Sequence, residues 1–201
     1  TEDDPTEYRI EEYNWLFAAE RADSLGVDII TASLGYSDFD EKNLPHGLSF
    51  DYERSDMDGK TAVVSRAAQM AADRGIFVVC SAGNEGSISW EIITAPADAE
   101  GVLAVGSVTF SVQKYPSSST GPAADGRIKP DVAGPGVSVA VITPSGASAT
   151  GTGTSFSAPL VAGLAAGIWQ KNPAMTNKEL MDLIKTTASQ ANAADNMLGY
   201  G

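Results

Sequence analysis

A glycine- and threonine-rich stretch at residues 151–159 contains the side chain with the clearest chemical potential, Ser155. It reads Gly-Thr-Gly-Thr-Ser-Phe-Ser-Ala-Pro, and the apolar run that follows predicts a helix over 155–171. A serine at a helix N-terminus lies in the positive field of the helix dipole, where free backbone N–H groups can stabilise an oxyanion. A simple N-capping serine has the same position, although Pro159 removes a hydrogen-bond donor from the first turn. The residues alone leave both interpretations open.

Two further polar segments follow short apolar runs. Ser81-Ala82-Gly83-Asn84 comes after the run 76–80, and Ser33-Leu34-Gly35 ends the β-branched run 27–33. The Asn84 amide is a suitable donor for an oxyanion, but an asparagine beside glycine is also common in turns. The function of Asn84 therefore depends on where Ser155 lies.

Predicted helices and strands alternate along the chain. Hydrophobic periodicity predicts helices over 7–25, 60–74, 155–171 and 177–189 and strands over 27–33, 76–80, 101–108 and 137–142. This order predicts an α/β fold in which helices cover both faces of a parallel sheet. The three polar segments then meet at the carboxyl ends of the strands. Gly163 and Gly167, four residues apart, predict close packing of their helix.

Composition excludes several classes of partner. The 201 residues include 26 acidic and 13 basic side chains, a formal net charge of −13, which disfavours nucleic acid and anionic membranes. No apolar run approaches the length of about 18 residues that spans a bilayer. Cys80 is the only cysteine and excludes an internal disulfide. The length suits one sizeable core.

Four segments in a fixed order resemble the subtilases, the subtilisin-like serine peptidases. Gly153-Thr154-Ser155-Phe156-Ser157-Ala158-Pro159 is similar to their serine box, Ser81-Ala82-Gly83-Asn84 to their oxyanion segment and Ser33-Leu34-Gly35 to their substrate-lining strand. The fourth segment, from Ser117 to Gly136, is similar to the run that precedes the serine box. The resemblance covers roughly residues 20 to 190. It implies a subtilisin-like parallel sheet.

The resemblance also implies roles for individual residues. Ser155 would be the nucleophile, and the Asn84 amide and the Ser155 backbone N–H would hold the oxyanion. The segment 33–35 would pair with an extended substrate, 81–83 would form one wall of the pocket for the residue before the scissile bond, and 151–153 would lie near its floor. The implied substrate-binding residues are Ser33, Leu34, Gly35, Ser81, Ala82, Gly83, Gly151, Thr152, Gly153 and Thr154. The family implies no reaction cofactor, allows structural calcium, and suggests a secreted or cell-envelope location. Residues 56–59 are a weak calcium candidate, and a solvated turn fits them better.

Two boxes of the family are absent. No Asp-[Ser/Thr]-Gly occurs, and His46, the only histidine, follows Gly35 and lacks the residues of the histidine box. His46 is therefore predicted to be a loop residue. We expect residues 1–201 to be the C-terminal portion of a single subtilase catalytic domain whose N-terminal strands are missing, from truncation or proteolysis.

The expected function is part of a serine endopeptidase that forms an acyl-enzyme on Ser155, inactive as this chain alone. A non-catalytic peptide-binding pseudopeptidase is the alternative. An α/β-hydrolase is a weaker one, because position 157 is serine where Gly-x-Ser-x-Gly requires glycine. In subtilases the strand with the aspartate lies beside the one that matches 27–33. Without it an open edge would remain, and self-association near 27–35 is expected.

Overall fold

The computed structural model describes residues 6–40, 49 and 51–201. The elements are α1 (Ile10–Ser24), β1 (Ile29–Ala32), α2 (Val63–Asp73), β2 (Phe77–Ser81), β3 (Val102–Val108), β4 (Val132–Pro135), β5 (Val139–Ile142), β6 (Ser148–Gly151), α3 (Thr154–Lys171) and α4 (Asn177–Thr187). Short 3-10 turns lie at Arg54–Asp56 and Ala191–Ala193. No helix among these residues is long and apolar enough to cross a membrane.

The central sheet has four parallel strands in the order β1-β2-β3-β4. Ile30 pairs with Val78, and Val78 pairs in turn with Val102, so the strands are in close register. Strands β5 and β6 form a separate antiparallel hairpin. β1 is an edge of the four-stranded sheet in the described part of the chain.

Helices cover both faces of this sheet. Along β2, Val78 and Cys80 belong to the core that includes α1 and α2, whereas Phe77 and Val79 belong to the core that includes α3 and α4. Successive strand residues point to opposite faces, so each apolar residue of β2 is buried against one layer or the other. The predicted α/β fold class is confirmed.

A glycine and a capping threonine determine where α1 ends and where α4 begins. Gly26 has φ +72°, where glycine is favoured, and ends α1 as predicted. Thr176 begins α4 with a capping box: its hydroxyl accepts from Glu179 N (3.2 Å), and the Glu179 carboxylate accepts from Thr176 N (2.7 Å).

The prediction of a parallel strand over 137–142 is wrong. Its residues 139–142 form β5 of the hairpin, where side chains alternate between half-buried and exposed. The fourth parallel strand is β4, which runs beside β3 with Val105 opposite Val132. Pro135 lies at the end of this strand, which is an edge of the sheet in the described part of the chain, where a missing N–H is tolerated.

The close packing predicted at Gly163 and Gly167 is also wrong for the described residues. A Cβ at either position would meet no atom within 4 Å. Both glycines lie on an exposed apolar face of α3 with Leu160 and Leu164, which are 47% and 58% exposed.

A buried ion network joins β3, β4 and α4. Lys129 Nζ donates to Asp131 Oδ2 at 2.7 Å and to the carbonyls of Ala99 and Val102 at 2.9 Å each. Lys185 contacts Asp131 Oδ1 at 2.5 Å. Lys129 and Asp131 are both almost fully buried, so each charge needs the other to offset the cost of its burial.

Candidate active site

The three segments singled out from the sequence meet at the N-terminus of α3. Thr154 N donates to Asn84 Oδ1 (3.0 Å), and Thr154 Oγ1 donates to Gly83 O (3.2 Å). Ser33 Oγ donates to the carbonyl oxygen of Ser155 (3.0 Å). The segments after β1 and β2 are therefore bonded directly to the first turn of α3, at the carboxyl edge of the sheet.

Ser155 is the second residue of α3 and is partly exposed. Neither its hydroxyl nor its backbone N–H makes a hydrogen bond with another described residue. The first N–H groups of a helix have no partner inside the helix, so this donor is available to a ligand. The hydroxyl lies in the positive field of the helix N-terminus.

Asn84 is exposed, but its amide has a defined orientation. Oδ1 accepts from both Thr154 N and Thr154 Oγ1 (3.2 Å), and only the amide oxygen can accept from a backbone N–H. The Asn84 NH₂ group has no partner among the described residues, which leaves its two donors free. Thus the Asn84 amide oxygen binds the N-terminus of α3, and the Asn84 NH₂ group is available to a ligand.

The segment before α3 approaches Asn84 closely. Gly153 has φ +142°, its N–H donates to Gly136 O (2.8 Å), and a Cβ there would lie 3.2 Å from Asn84 Oδ1. Only glycine fits this combination of dihedral and contact. A Cβ at Gly151 would collide with the Phe156 ring, so this ring packs on the backbone of β6.

Thr94 is a site residue that the sequence did not indicate. Its N–H donates to Ala82 O (3.2 Å), and the next residue, Ala95, pairs with Tyr36 through two backbone hydrogen bonds (2.9 and 3.2 Å). Thr94 therefore lies between segments 33–35 and 81–83. Nothing in the sequence pattern of 87–100 indicated that Thr94 would fill the space between Gly35 and Gly83.

The Thr94 hydroxyl has no hydrogen-bond partner in the described part of the chain, although the residue is 97% buried. A Cβ at Gly83 would lie 3.0 Å from this oxygen, and a Cβ at Gly35 would collide with it. The Thr94 hydroxyl, between segments 33–35 and 81–83, thus has hydrogen-bonding capacity that no described residue uses.

Two carboxylates follow segments 33–35 and 81–84 in the sequence. Glu85 follows Asn84, and Asp38 lies three residues after Gly35 on the facing segment. Burial raises the pKa of Glu85, and the charge of Asp38 raises this pKa further. Neither carboxylate has an ion-pair partner among the described residues.

No described residue supplies an imidazole base, because His46 lies outside the described residues. The same part of the chain contains no group of three or more His, Cys, Asp or Glu side chains that could hold a metal ion. Asp58 Oδ1 accepts from the backbone N–H of Lys60 (2.7 Å) and Thr61 (2.8 Å), which is the bonding of a turn aspartate.

The chain is similar to known proteins in sequence and in fold. The sequence profile of the subtilase family matches residues 6–201. Subtilisin E of Bacillus subtilis (strain 168) is 34% identical over 180 residues, which are 89% of this chain and 40% of that protein. Sphericase superposes with a TM-score of 0.72 and 25% identity, over 96% of this chain and 63% of the other.

A second solved structure, the S41 psychrophilic protease, has a TM-score of 0.73 over 99% of this chain and 64% of its own, at 24% identity, and supports the fold alone. The chain spans about 40% of the length of the curated relatives that it matches at 34% identity.

Proposed function

Because this chain belongs to the subtilase family of serine peptidases, we propose that it supplies the nucleophile, oxyanion donors and substrate wall of an enzyme that hydrolyses peptide bonds. The observation that carries the proposal is the set of hydrogen bonds that joins Ser33, Gly83 and Asn84 to the first turn of α3, beside Ser155.

In this proposal Ser155 Oγ attacks the carbonyl carbon of the scissile peptide bond and forms a tetrahedral oxyanion. The Asn84 NH₂ and the Ser155 N–H, both free of other partners, donate to that oxygen. Collapse breaks the C–N bond and releases the amine, which leaves an acyl-enzyme on Ser155 that water then hydrolyses. The base that takes the serine proton and returns it to the amine is a histidine that the described residues do not contain.

The substrate would lie extended along residues 33–35, with the side chain before the scissile bond between this segment and 81–83. Support comes from the shared floor at Thr94, from the small residues of both segments, and from Thr152, Gly153 and Thr154 at the carboxyl edge. Thr94 lies between 33–35 and 81–83, and the place of 151–153 near the floor of the pocket stays a prediction.

A non-catalytic peptide-binding role is the second candidate for this chain. It is favoured by the unpaired hydroxyl of Ser155, since a serine without an adjacent base is a weak nucleophile. A secreted or cell-envelope location stays a prediction, as does the assignment of residues 1–201 to one catalytic domain.

Asn84→Ala is expected to lower kcat by about a hundred- to a thousandfold, the range known for loss of an oxyanion donor in subtilisin itself. The assay uses a form of the protein that includes the aspartate and histidine segments, with a chromogenic peptide as substrate. KM should change little, because the donor acts on charge that develops in the transition state.

Asn84→Asp is the matched variant. An aspartate keeps an acceptor for Thr154 N but has no NH₂ to donate. It should lose as much rate as Asn84→Ala while retaining more of the free energy of unfolding. Full activity in Asn84→Asp would refute the oxyanion role and leave only the bond to Thr154.

We further propose that the free edge of β1 associates with a second copy of this chain. The edge strand is flanked by two apolar grooves, one of about 310 Å³ beside α1 and Leu34, the other of about 300 Å³ beside α3 and Trp169. Leu160 and Leu164 extend the apolar surface along α3, and unpaired strand edges readily join other strands.

Leu164→Glu is expected to weaken this dimer, since it places a charge in the apolar face of α3. Light scattering across a micromolar concentration series measures the effect. Met197→Glu is the control, because Met197 is equally exposed (54%, against 58% for Leu164) but lies in the C-terminal turn, beyond β4. A wild-type chain that stays monomeric over the whole series would overturn the proposal.

A further inference from the structure

Gly136 connects the end of β3 with the segment that leads into α3. It is buried and lies directly after β4, at the carboxyl edge of the sheet. Its N–H donates to Val108 O (2.9 Å), and its carbonyl accepts from Gly153 N (2.8 Å). Gly153 O accepts in turn from Phe156 N in α3 (3.1 Å). Two consecutive hydrogen bonds thus lead from Gly136 into the helical turn that contains Ser155.

The space around Gly136 has no room for a side chain. A Cβ at this position would collide with Ser107 Oγ and Ser157 Oγ, and it would lie 2.8 Å from Gly153 O. Gly136 does not have the left-handed φ that favours glycine, so the surrounding atoms, rather than the backbone conformation, require glycine here. Gly153 and Ser157 lie on either side of Ser155 in the chain, so a shift of either residue displaces Ser155.

The hydroxyls of Ser107 and Ser157 make only packing contacts. Both residues are almost completely buried, and neither hydroxyl has a hydrogen-bond partner in the described part of the chain. Either serine can therefore be replaced by alanine without breaking a hydrogen bond of its side chain. The contact of these two oxygen atoms with Gly136 can be removed separately from the rest of the site.

The first turn of α3 is held from two sides. Hydrogen bonds to Ser33, Gly83 and Asn84 hold it from the side of β1 and β2. On the side of β3 and β4, packing on Gly136 limits its approach to the sheet. Extra atoms in a well-packed interior force the neighbouring backbone to shift. A methyl group at position 136 would therefore push the turn toward β1 and β2.

Gly134 makes a different contact with the same helix. A Cβ at Gly134 would lie 3.1 Å from Val161 Cγ2 and 3.5 Å from Ser157 O. Val161 lies beyond the first turn of α3, and the end of its side chain can move without a shift of the backbone. Added volume at Gly134 thus acts on a later turn of α3 than added volume at Gly136.

We propose that Gly136 is a positioning residue for Ser155, because the lack of a side chain at 136 sets how closely the first turn of α3 lies on β3 and β4. This inference rests on the proposed function and adds a residue to that site. Gly136 does not touch the reacting groups and acts through Gly153 and Ser157. The rate of the chemical step therefore depends on Gly136, whereas peptide binding along 33–35 and 81–83 does not.

Gly136→Ala is expected to lower kcat for a chromogenic peptide about a hundredfold, the loss that a displacement of about 1 Å in the catalytic geometry can cause. The assay uses the form of the protein that includes the aspartate and histidine segments. KM should change little, because no hydrogen bond joins Gly136 to 33–35 or 81–83 in the described chain. Circular dichroism measures the folded fraction, and kcat is expressed per folded molecule.

Two comparisons separate positioning from a loss of stability. Gly134→Ala is the matched control and should leave kcat near the wild-type value, even where it lowers the free energy of unfolding. In a Ser107→Ala/Ser157→Ala background, Gly136→Ala should lower kcat by a much smaller factor, since the two oxygen atoms that the new Cβ would meet are absent. The kcat of that background is the reference for this second comparison.

If Gly136→Ala does not fold, Ser157→Cys takes its place, because the larger sulfur presses on Gly136 from the side of α3 and should also lower kcat. Wild-type kcat in the folded variant, an equal fall in Gly134→Ala, or the same fall with and without the two hydroxyls overturns the inference but leaves the proposed function intact. Absence of peptide hydrolysis in the longer form, or hydrolysis that survives Ser155→Ala, overturns the proposed function and this inference with it.

Discussion

Ser155→Ala is expected to lower kcat for peptide hydrolysis about a millionfold in a form of this protein that includes the aspartate and histidine segments. The size of the effect is that known for loss of the nucleophile in subtilisin itself. The physical reason is that no other hydroxyl can form the acyl-enzyme at the N-terminus of α3. Ser157, two residues on, is fully buried.

The 201-residue chain without those segments is expected to hydrolyse a chromogenic peptide negligibly, since loss of the histidine costs as much as loss of the serine. Ser155→Ala in this short chain should therefore change nothing measurable. Steady cleavage by the short chain that disappears in Ser155→Ala would show that some residue of these 201 acts as the base. That result would overturn the prediction of inactivity.

Ser33→Ala is the positioning control for the same assay. Ser33 Oγ bonds to the Ser155 carbonyl, so its loss loosens the turn without removing a reacting group. A modest fall in kcat is expected from this variant, against a fall of about a millionfold in Ser155→Ala. Equal losses in the two variants would show that the assay reports disruption of the turn rather than of the nucleophile.

The sequence predicted those parts of the site that depend on residue type and on the order of the segments along the chain. Ser33, Gly83 and Asn84 lie at the end of, or just after, apolar runs that predict buried strands. Ser155 begins an apolar run that predicts a helix. Parallel strands bring such segments to one edge, and the hydrogen bonds to Thr154 and Ser155 agree with that expectation. The catalytic roles themselves stay predictions.

Other features were not predictable because they depend on distant partners. Thr94 matters only because Gly35 and Gly83 approach it from two other segments. Gly163 and Gly167 have the spacing of a packed helix face, but spacing cannot say whether anything covers that face. Lys129 and Asp131 look like surface charges in sequence, and their burial follows from carbonyls about thirty residues away, such as Ala99.

The ion network at Asp131 sets the second large expected effect. Asp131→Asn should lower the free energy of unfolding by about 3–5 kcal/mol, because it leaves the Lys129 ammonium buried beside a neutral group. Urea unfolding of the chain measures it. Asp98→Asn is the comparison: Asp98 is fully buried and bonded to Ser65 and Gly59 N, but has no ion pair in the described chain, and should cost less.

The dependence on pH distinguishes these two aspartates. Burial alone would raise the pKa of Asp131, but the charges of Lys129 and Lys185 and their hydrogen bonds outweigh it and lower the pKa. Its contribution to stability is therefore complete above the ordinary aspartate pKa of about 3.9 and is lost as the pH falls below that value. Burial raises the pKa of Asp98, so protonation of Asp98 favours the folded state as the pH falls.

Lys129→Met combined with Asp131→Asn completes the argument, because it removes the stranded charge together with its partner. The double variant should cost less than the sum of the two single variants, since each single change alone leaves one buried group uncompensated. Strict additivity would show that the two charges do not interact in the folded protein. It would then follow that the bonds of Lys129 to the carbonyls of Ala99 and Val102, rather than its pairing with Asp131, hold β3 and β4 together beneath α3.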